Sequence, residues 1–221
     1  MSAADDADGT RRRDAWLNRV RRLRAIAQTG SAYTTDGYDL ERFRELGELA
    51  ETLLADLTAA APERIRDLYL PERGYPTPKL DVRAGVFVEE GGTARVLLVR
   101  ERADGRWSLP GGWADEQESP RQSIEREVEE ESGYRVRAQK LVALRDRALH
   151  GYRPQRLEHV YKLLFLCELS GGAPATSLET TEVGFFGLDA LPELSRGRTL
   201  AQDIELLDRH RRQPGLPTTF D

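Results

Sequence analysis

The sequence predicts an α/β or α+β domain behind a small helical hairpin. Two changes of pattern carry that prediction. Apolar residues recur every three or four positions up to Leu57, and from Leu80 onward the period shortens to two. Between the two regimes lies a segment holding Pro71, Gly74, Pro76 and Pro78, which reads as a linker over 71–78.

The elements follow in order. Residues 1–13 are polar and are expected to form a disordered leader. From Asp14 a helix carries Trp16, Leu17, Val20, Leu23 and Ala27, with Arg19, Arg21, Arg22 and Arg24 between them. A break is expected from Gly30 to Gly37. Asp39 is then the expected N-cap of a second helix, with Leu40, Phe43, Leu46, Leu49, Leu53, Leu54 and Leu57 on its apolar stripe. Pro62 interrupts it, and a short helical piece follows around Ile65 to Leu70, so the helical domain is placed at 14–70. A hairpin this small cannot bury both apolar faces by itself. It must pack on the rest of the chain or on a second copy, and a homodimer through these helices is the expectation.

After the linker, Leu80, Val82, Ala84, Val86 and Val88 alternate as in a strand, and Glu89 to Gly92 forms a turn into a second strand, Ala94 to Val99. Further strands are expected over Val136–Leu144, His159–Leu169 and Val183–Leu188. A helix over Asp203–His210 closes the domain placed at 79–221, with an irregular tail from Pro214.

Composition narrows the function classes. The chain has 221 residues, 39% hydrophobic and 32% charged, with net charge −5, a poor balance for a general nucleic-acid binder. Seven arginines between Arg11 and Arg24 are an exception, and a solvated helix face with a flexible basic leader accounts for them better than a nucleic-acid contact does. The single cysteine, Cys167, lies in an apolar run and reads as a small core residue. Neither a signal-peptide pattern nor a membrane-spanning apolar run is present, so the expected setting is cytoplasmic.

The chemistry lies between Gly111 and Tyr134. Gly111 and Gly112 follow Pro110 and mark a tight loop where backbone can approach a ligand. Ser119 can cap a helix that has Pro120 at its first position and Gly133 at its end. At 100° per residue, Glu127, Glu130 and Glu131 fall within an arc of roughly 100°, beside Ile124 and Val128. A Glu-rich helix is ordinarily a solvated face, and Arg126 could simply pair with Glu130 one turn on. Three carboxylates this close also repel one another, and a dication such as Mg²⁺ or Mn²⁺ relieves the conflict.

The stretch resembles the Nudix box: Gly112, five residues, Glu118, seven residues, Arg126-Glu127-Val128, any residue, Glu130-Glu131, any residue, Gly133 and Tyr134. Only Tyr134 departs, where the family usually has an aliphatic residue. The resemblance implies an α/β/α sandwich around a mixed sheet. It also implies hydrolysis of a phosphoanhydride bond in a nucleoside diphosphate linked to another moiety. Glu127, Glu130 and Glu131, with the carbonyl of Gly111, would hold Mg²⁺ or Mn²⁺, and Arg126 would fix the acids with Glu118 nearby. The general base would be Glu127 or a distant acid, for which Glu182 and Glu179 are candidates. The hairpin, the Trp107–Asp115 run and the Glu182–Phe186 run further resemble a bacterial subgroup commonly labelled ADP-ribose pyrophosphatase, some members of which hydrolyse CDP-choline. A nucleotide sensor and an RNA-end-processing enzyme are the alternatives. Trp107, Trp113 and Tyr152 are candidates to stack a base, each equally explicable as packing. His150, His159 and His210 have no metal-ligand spacing.

Overall fold

A computed structural model describes residues 3–58 and 74–221. They form two compact units that divide between Thr77 and Pro78. The expected helical piece at Ile65–Leu70 and the start of the linker lie outside the described residues.

Among the described residues the first unit holds a pair of helices, α1 (Ala3–Tyr33) and α2 (Gly37–Thr58). A connection this short makes them antiparallel neighbours. Leu17, Val20 and Ala27 of α1 and Ala50, Leu54 and Ala55 of α2 are buried. Helix α1 starts well before Asp14, so residues expected as a leader are helical from Ala3. It also runs through Gly30, where the expected break gives way to a packing requirement. A Cβ at Gly30 would come within 2.4 Å of the Phe43 ring. The cap of α2 is Asp36, whose carboxylate accepts from the Asp39 N–H at 3.0 Å, so Asp39 sits in the first turn instead. Trp16 remains 54% exposed, and Leu49 and Leu53 are exposed on α2.

The second unit is built on a seven-stranded mixed sheet. Its strands are β1 (Lys79–Glu90), β2 (Thr93–Glu101), β3 (Trp107–Ser108), β4 (Tyr134–Asp146), β5 (Val160–Gly172), β6 (Thr180–Gly187) and β7 (Thr219–Phe220). Their order is β3-β2-β1-β5-β4-β7, with β6 paired to β2. The first half of β1 runs parallel to β5, and its end turns back antiparallel onto β2. Two helices, α3 (Pro120–Ser132) and α4 (Ala201–Arg212), complete the unit.

Strand alternation sorts the side chains into two cores. Val82, Ala84, Val86, Leu97 and Phe165 pack with Ile124 and Val128 of α3. Val96, Leu98, Val142 and Leu164 pack with Ile204 and Leu207 of α4. The result is the expected α/β/α sandwich. Full burial of Ile124 and Val128 contributes about 1.5–3 kcal/mol each relative to exposure. Cys167 is buried as read, and burial pushes its thiol up to about 12. The tail is not irregular throughout: Thr219–Phe220 pairs parallel with β4, and Lys140 Nζ donates to the Pro214 carbonyl at 2.9 Å. Among the described residues no helix is long and apolar enough to cross a membrane.

Beneath the sheet face opposite α3 lies a buried charge network. Lys162 Nζ donates to Asp81 at 2.6 Å, and Arg83 grips the same carboxylate through Nε at 2.9 Å and Nη2 at 3.2 Å. Arg83 also donates to the Leu109 carbonyl at 3.1 Å, which ties the network to the loop before Gly111. Burial opposes ionisation of Asp81, but Arg83 and Lys162 prevail and hold it well below the usual carboxylate range.

Candidate active site

Helix α3 is fixed at both ends by the residues that sequence suggests. Ser119 Oγ accepts from the Gln122 N–H, and the Gln122 side chain accepts from the Ser119 N–H at 2.9 Å, closing a capping box. At the other end Gly133 adopts φ 73° and donates to the Glu129 carbonyl. Ile124 and Val128 hold one side of the helix in the core, so the acids at 127, 130 and 131 emerge at its rim.

Arg126 organises that rim. Its Nε donates to both carboxylate oxygens of Glu118, at 3.0 and 3.1 Å. Its Nη1 donates to Glu127 at 3.0 Å and to Glu130 at 2.9 Å. Nη2 lies 3.2 Å from Asp115 as an ion pair without hydrogen-bond alignment. Ser123 Oγ adds a hydrogen bond to Glu118 at 2.9 Å. The hydrogen bonds from Arg126 and Ser123 hold the Glu118 carboxyl below its ordinary range.

The glycine loop meets the same acids from the other side. Gly111 has φ 138°, and a Cβ there would come within 2.0 Å of the Val82 carbonyl. Its N–H donates to Glu131 Oε2 at 2.7 Å. A Cβ on Gly112 would come within 2.7 Å of Glu127 Oε2. The carbonyls of Pro110 and Gly112, on either side of Gly111, are taken by the N–H groups of Ala84 and Val82. The loop is thereby pinned to β1, and both acids press against its backbone.

Burial raises Glu127 above its ordinary value despite Arg126. Burial also pushes Glu131 up to about 8; Arg83 and the Gly111 N–H oppose the shift, while Glu101 and Glu127 add to it. Among the described residues the acids do not converge on one point as a ready-made cation cage. They are turned toward Arg126 and Gly111. What they offer is an oxygen-only donor set, crowded and short of neutralising charge, which suits a hard dication that keeps water and phosphate in its shell.

Glu182 is not part of this cluster. On β6, Val183 and Phe185 pack in the core under α3, whereas Phe186 packs in the opposite core. Alternation therefore turns Glu182 to the face away from the acids, where it pairs with Arg100. Glu179 lies in the exposed bend before β6. The contact from this region is made instead by Thr180, whose hydroxyl donates to the Glu131 carbonyl at 2.8 Å.

Sequence reading missed Asp115 as a partner of Arg126, and it missed the buried Asp81–Arg83–Lys162 network. Lys162, inside the apolar run from Val160 to Cys167, was the available signal for the latter. Trp107 and Tyr152 are core residues: Trp107 packs edge-on against Phe186 with ring centres 4.6 Å apart, and Tyr152 donates to Asp203 at 2.8 Å. His150 and His159 face Asp221 and Asp146.

Comparison with known families places this geometry. Residues 79–208 match the NUDIX domain, and residues 14–69 match a UDP-X-like, N-terminal oligomerisation domain. The chain belongs to the Nudix family. It is 42% identical over 206 residues to the Bacillus subtilis protein named "Putative ADP-ribose pyrophosphatase YjhB", covering 93% of this chain and 97% of that one. The structure of an ADP-ribose pyrophosphatase from Streptococcus suis is 41% identical, with TM-score 0.59, covering 66% of this chain and all (100%) of that one. The structure of a UDP-X diphosphatase is 30% identical, with TM-score 0.59, and covers 95% of this chain and 99% of that one. The protein is therefore a Nudix pyrophosphohydrolase.

Proposed function

We propose that this Nudix enzyme hydrolyses the phosphoanhydride bond of ADP-ribose or a close analogue, using Mg²⁺ or Mn²⁺, as a homodimer joined through its N-terminal helices. The observation that carries the chemistry is the shared clamp of Arg126 on Glu118, Glu127 and Glu130, with Glu131 fixed to the Gly111 N–H. Glu127, Glu130, Glu131 and the carbonyl of Gly111 would hold the cation. When bound, the cation supplies neutralisation of phosphoryl charge and a lowered pKa for coordinated water. Water attacks one phosphorus and the bridging oxygen leaves with the departing phosphate. Glu127, the better buried of the acids on Arg126, accepts the proton of that water, and Arg126 keeps the carboxylates in register. Catalysis is then mainly positioning and electrostatics.

The names of the Bacillus and Streptococcus relatives favour ADP-ribose, while the UDP-X diphosphatase likeness keeps uridine-linked substrates in play. CDP-choline rests on subgroup likeness alone. The match of residues 14–69 to an oligomerisation domain, with Trp16, Leu49 and Leu53 exposed, supports the dimer. A chromatographic screen for nucleoside monophosphate release from ADP-ribose, UDP-glucose, CDP-choline, NADH and nucleoside triphosphates tests the substrate. Fastest turnover of ADP-ribose to AMP and ribose 5-phosphate is expected. Preference for a UDP-linked sugar would overturn the substrate, and no turnover of any of them the reaction.

A further inference from the structure

The glycine loop is held from behind as well as from the side of the acids. Leu109 is buried in the core under α4, whereas Ala114 packs against the core under α3, so the loop between them passes from one layer to the other. Both backbone groups of Leu109 are taken by buried side chains. Its N–H donates to Thr199 Oγ1 at 2.9 Å, and its carbonyl accepts from Arg83 Nη1 at 3.1 Å. Two residues on, the Gly111 N–H donates to Glu131. Leu109 is thus the point at which the far side of the sheet takes hold of the backbone that fixes Glu131.

Arg83 is more than a counter-ion to Asp81, because Lys162 already holds that carboxylate at 2.6 Å. The guanidinium divides its donors: Nε and Nη2 face Asp81, and Nη1 turns to Leu109. Its side chain is only 5% exposed, so the fork has one available geometry. Its charge also reaches the acids of α3. Burial raises Glu127 and Glu131, and Arg83 opposes the rise in both; at Glu131 it is the largest opposing influence.

We propose that Arg83 is a positioning residue for the acids of α3: by holding the Leu109 carbonyl it sets the loop on which the Gly111 N–H fixes Glu131. In this role Arg83 touches neither cation nor substrate. The role rests on the proposed cation site. Groups one step behind a metal ligand orient it, and their loss typically weakens the metal by about 10- to 100-fold.

The test is Mn²⁺ binding to the full chain without substrate, read by EPR of the free ion, alongside steady-state kinetics. Arg83→Lys keeps the charge but loses the fork that reaches Asp81 and Leu109 together. It is expected to weaken Mn²⁺ by about tenfold or more and to lower kcat with KM within a few-fold. Thr199→Val removes the other hold on Leu109 and changes no charge; it is expected to weaken Mn²⁺ by a smaller factor. Lys162→Met disturbs Asp81 without touching the loop and is expected to leave Mn²⁺ affinity unchanged. Unchanged affinity in Arg83→Lys, or an equal loss in Lys162→Met, would overturn the role. Should Arg83→Lys not fold, Thr199→Val decides, and unchanged Mn²⁺ affinity there would overturn the role as well. A native chain that binds no Mn²⁺ would overturn the cation site and this role with it, whereas native binding that Arg83→Lys leaves intact overturns the positioning role alone.

Discussion

Arg126 is the residue on which the acids of α3 depend. Its planar fork reaches Glu118 through Nε and Glu127 and Glu130 through Nη1, a span and direction that the single nitrogen of a lysine does not reproduce. Arg126→Lys is expected to lower kcat by about 10- to 100-fold with KM within a few-fold, measured by steady-state kinetics. Glu130→Gln keeps the shape of the side chain and removes its charge. It should cost at least about 100-fold in kcat, more than a supporting residue does, without lowering the melting temperature. Retained activity would remove Glu130 from the site. The pairing of Arg126 with Glu118 was legible because the box places both at fixed spacing. Asp115 was not, since an exposed loop acid that meets Arg126 only through the fold leaves no periodic trace.

The loop carrying Gly111 and Gly112 makes two glycines with different duties. Gly111→Ala would strain a left-handed backbone and drive a methyl group into the Val82 carbonyl, so a loss of about 3 kcal/mol or more is expected in chemical denaturation. Gly112→Ala meets only the mobile end of Glu127. It should fold with little loss and yet lose activity through a displaced carboxylate. Equal stability losses in the two variants would contradict this division. At this scale helix α3 was legible from its ends, because Ser119, Pro120 and Gly133 are punctuation with a mechanism. The cap of α2 was misplaced by three residues, since Asp36 and Asp39 are equally good caps until the backbone chooses. The pairing of Glu182 with Arg100 was hidden for a related reason. The face this acid takes depends on strand register, and one step along β6 reverses it.

For the whole molecule, stability should report both the site and the buried charges. A dication that binds only the folded chain adds about 2.7 kcal/mol at a hundred times its Kd, so Mg²⁺ or Mn²⁺ should raise the melting temperature and EDTA should reverse it. Glu130→Gln should blunt that response. Burial lowers Lys162 from 10.5 to about 8 against the pull of Asp81. A lysine depressed in the folded state is a liability when protonated. The contribution of Lys162 to stability is therefore least below about 8 and recovers as pH rises toward 10.5. The stability of the native protein minus that of Lys162→Met should climb by about 1–3 kcal/mol across that window and stay flat below it. Light scattering is expected to give a dimer at micromolar concentration and a monomer for Leu53→Asp. A native monomer would rule out the proposed pairing. The change of hydrophobic period made the two-part organisation legible. The buried Asp81 and Arg83 were hidden because charged residues alternating with Val82 and Ala84 read as a wet face.

The parallel pairing of β1 with β5 also sets a clock. Lys79 finds Val160 only after the residues that form β2, β3, α3 and β4 have been looped out between them. Closing so long a loop precedes any reward from the pairing, which places such sheets toward the slow end of folding rates, while helical pairs like α1 and α2 assemble from local contacts. On a ribosome the helices would be complete before the strand that finishes the central sheet had been synthesised. Until β5 arrives, the apolar edge of β1 stands open to other chains, so the yield of this enzyme should fall with crowding and temperature during synthesis more steeply than its final stability would suggest.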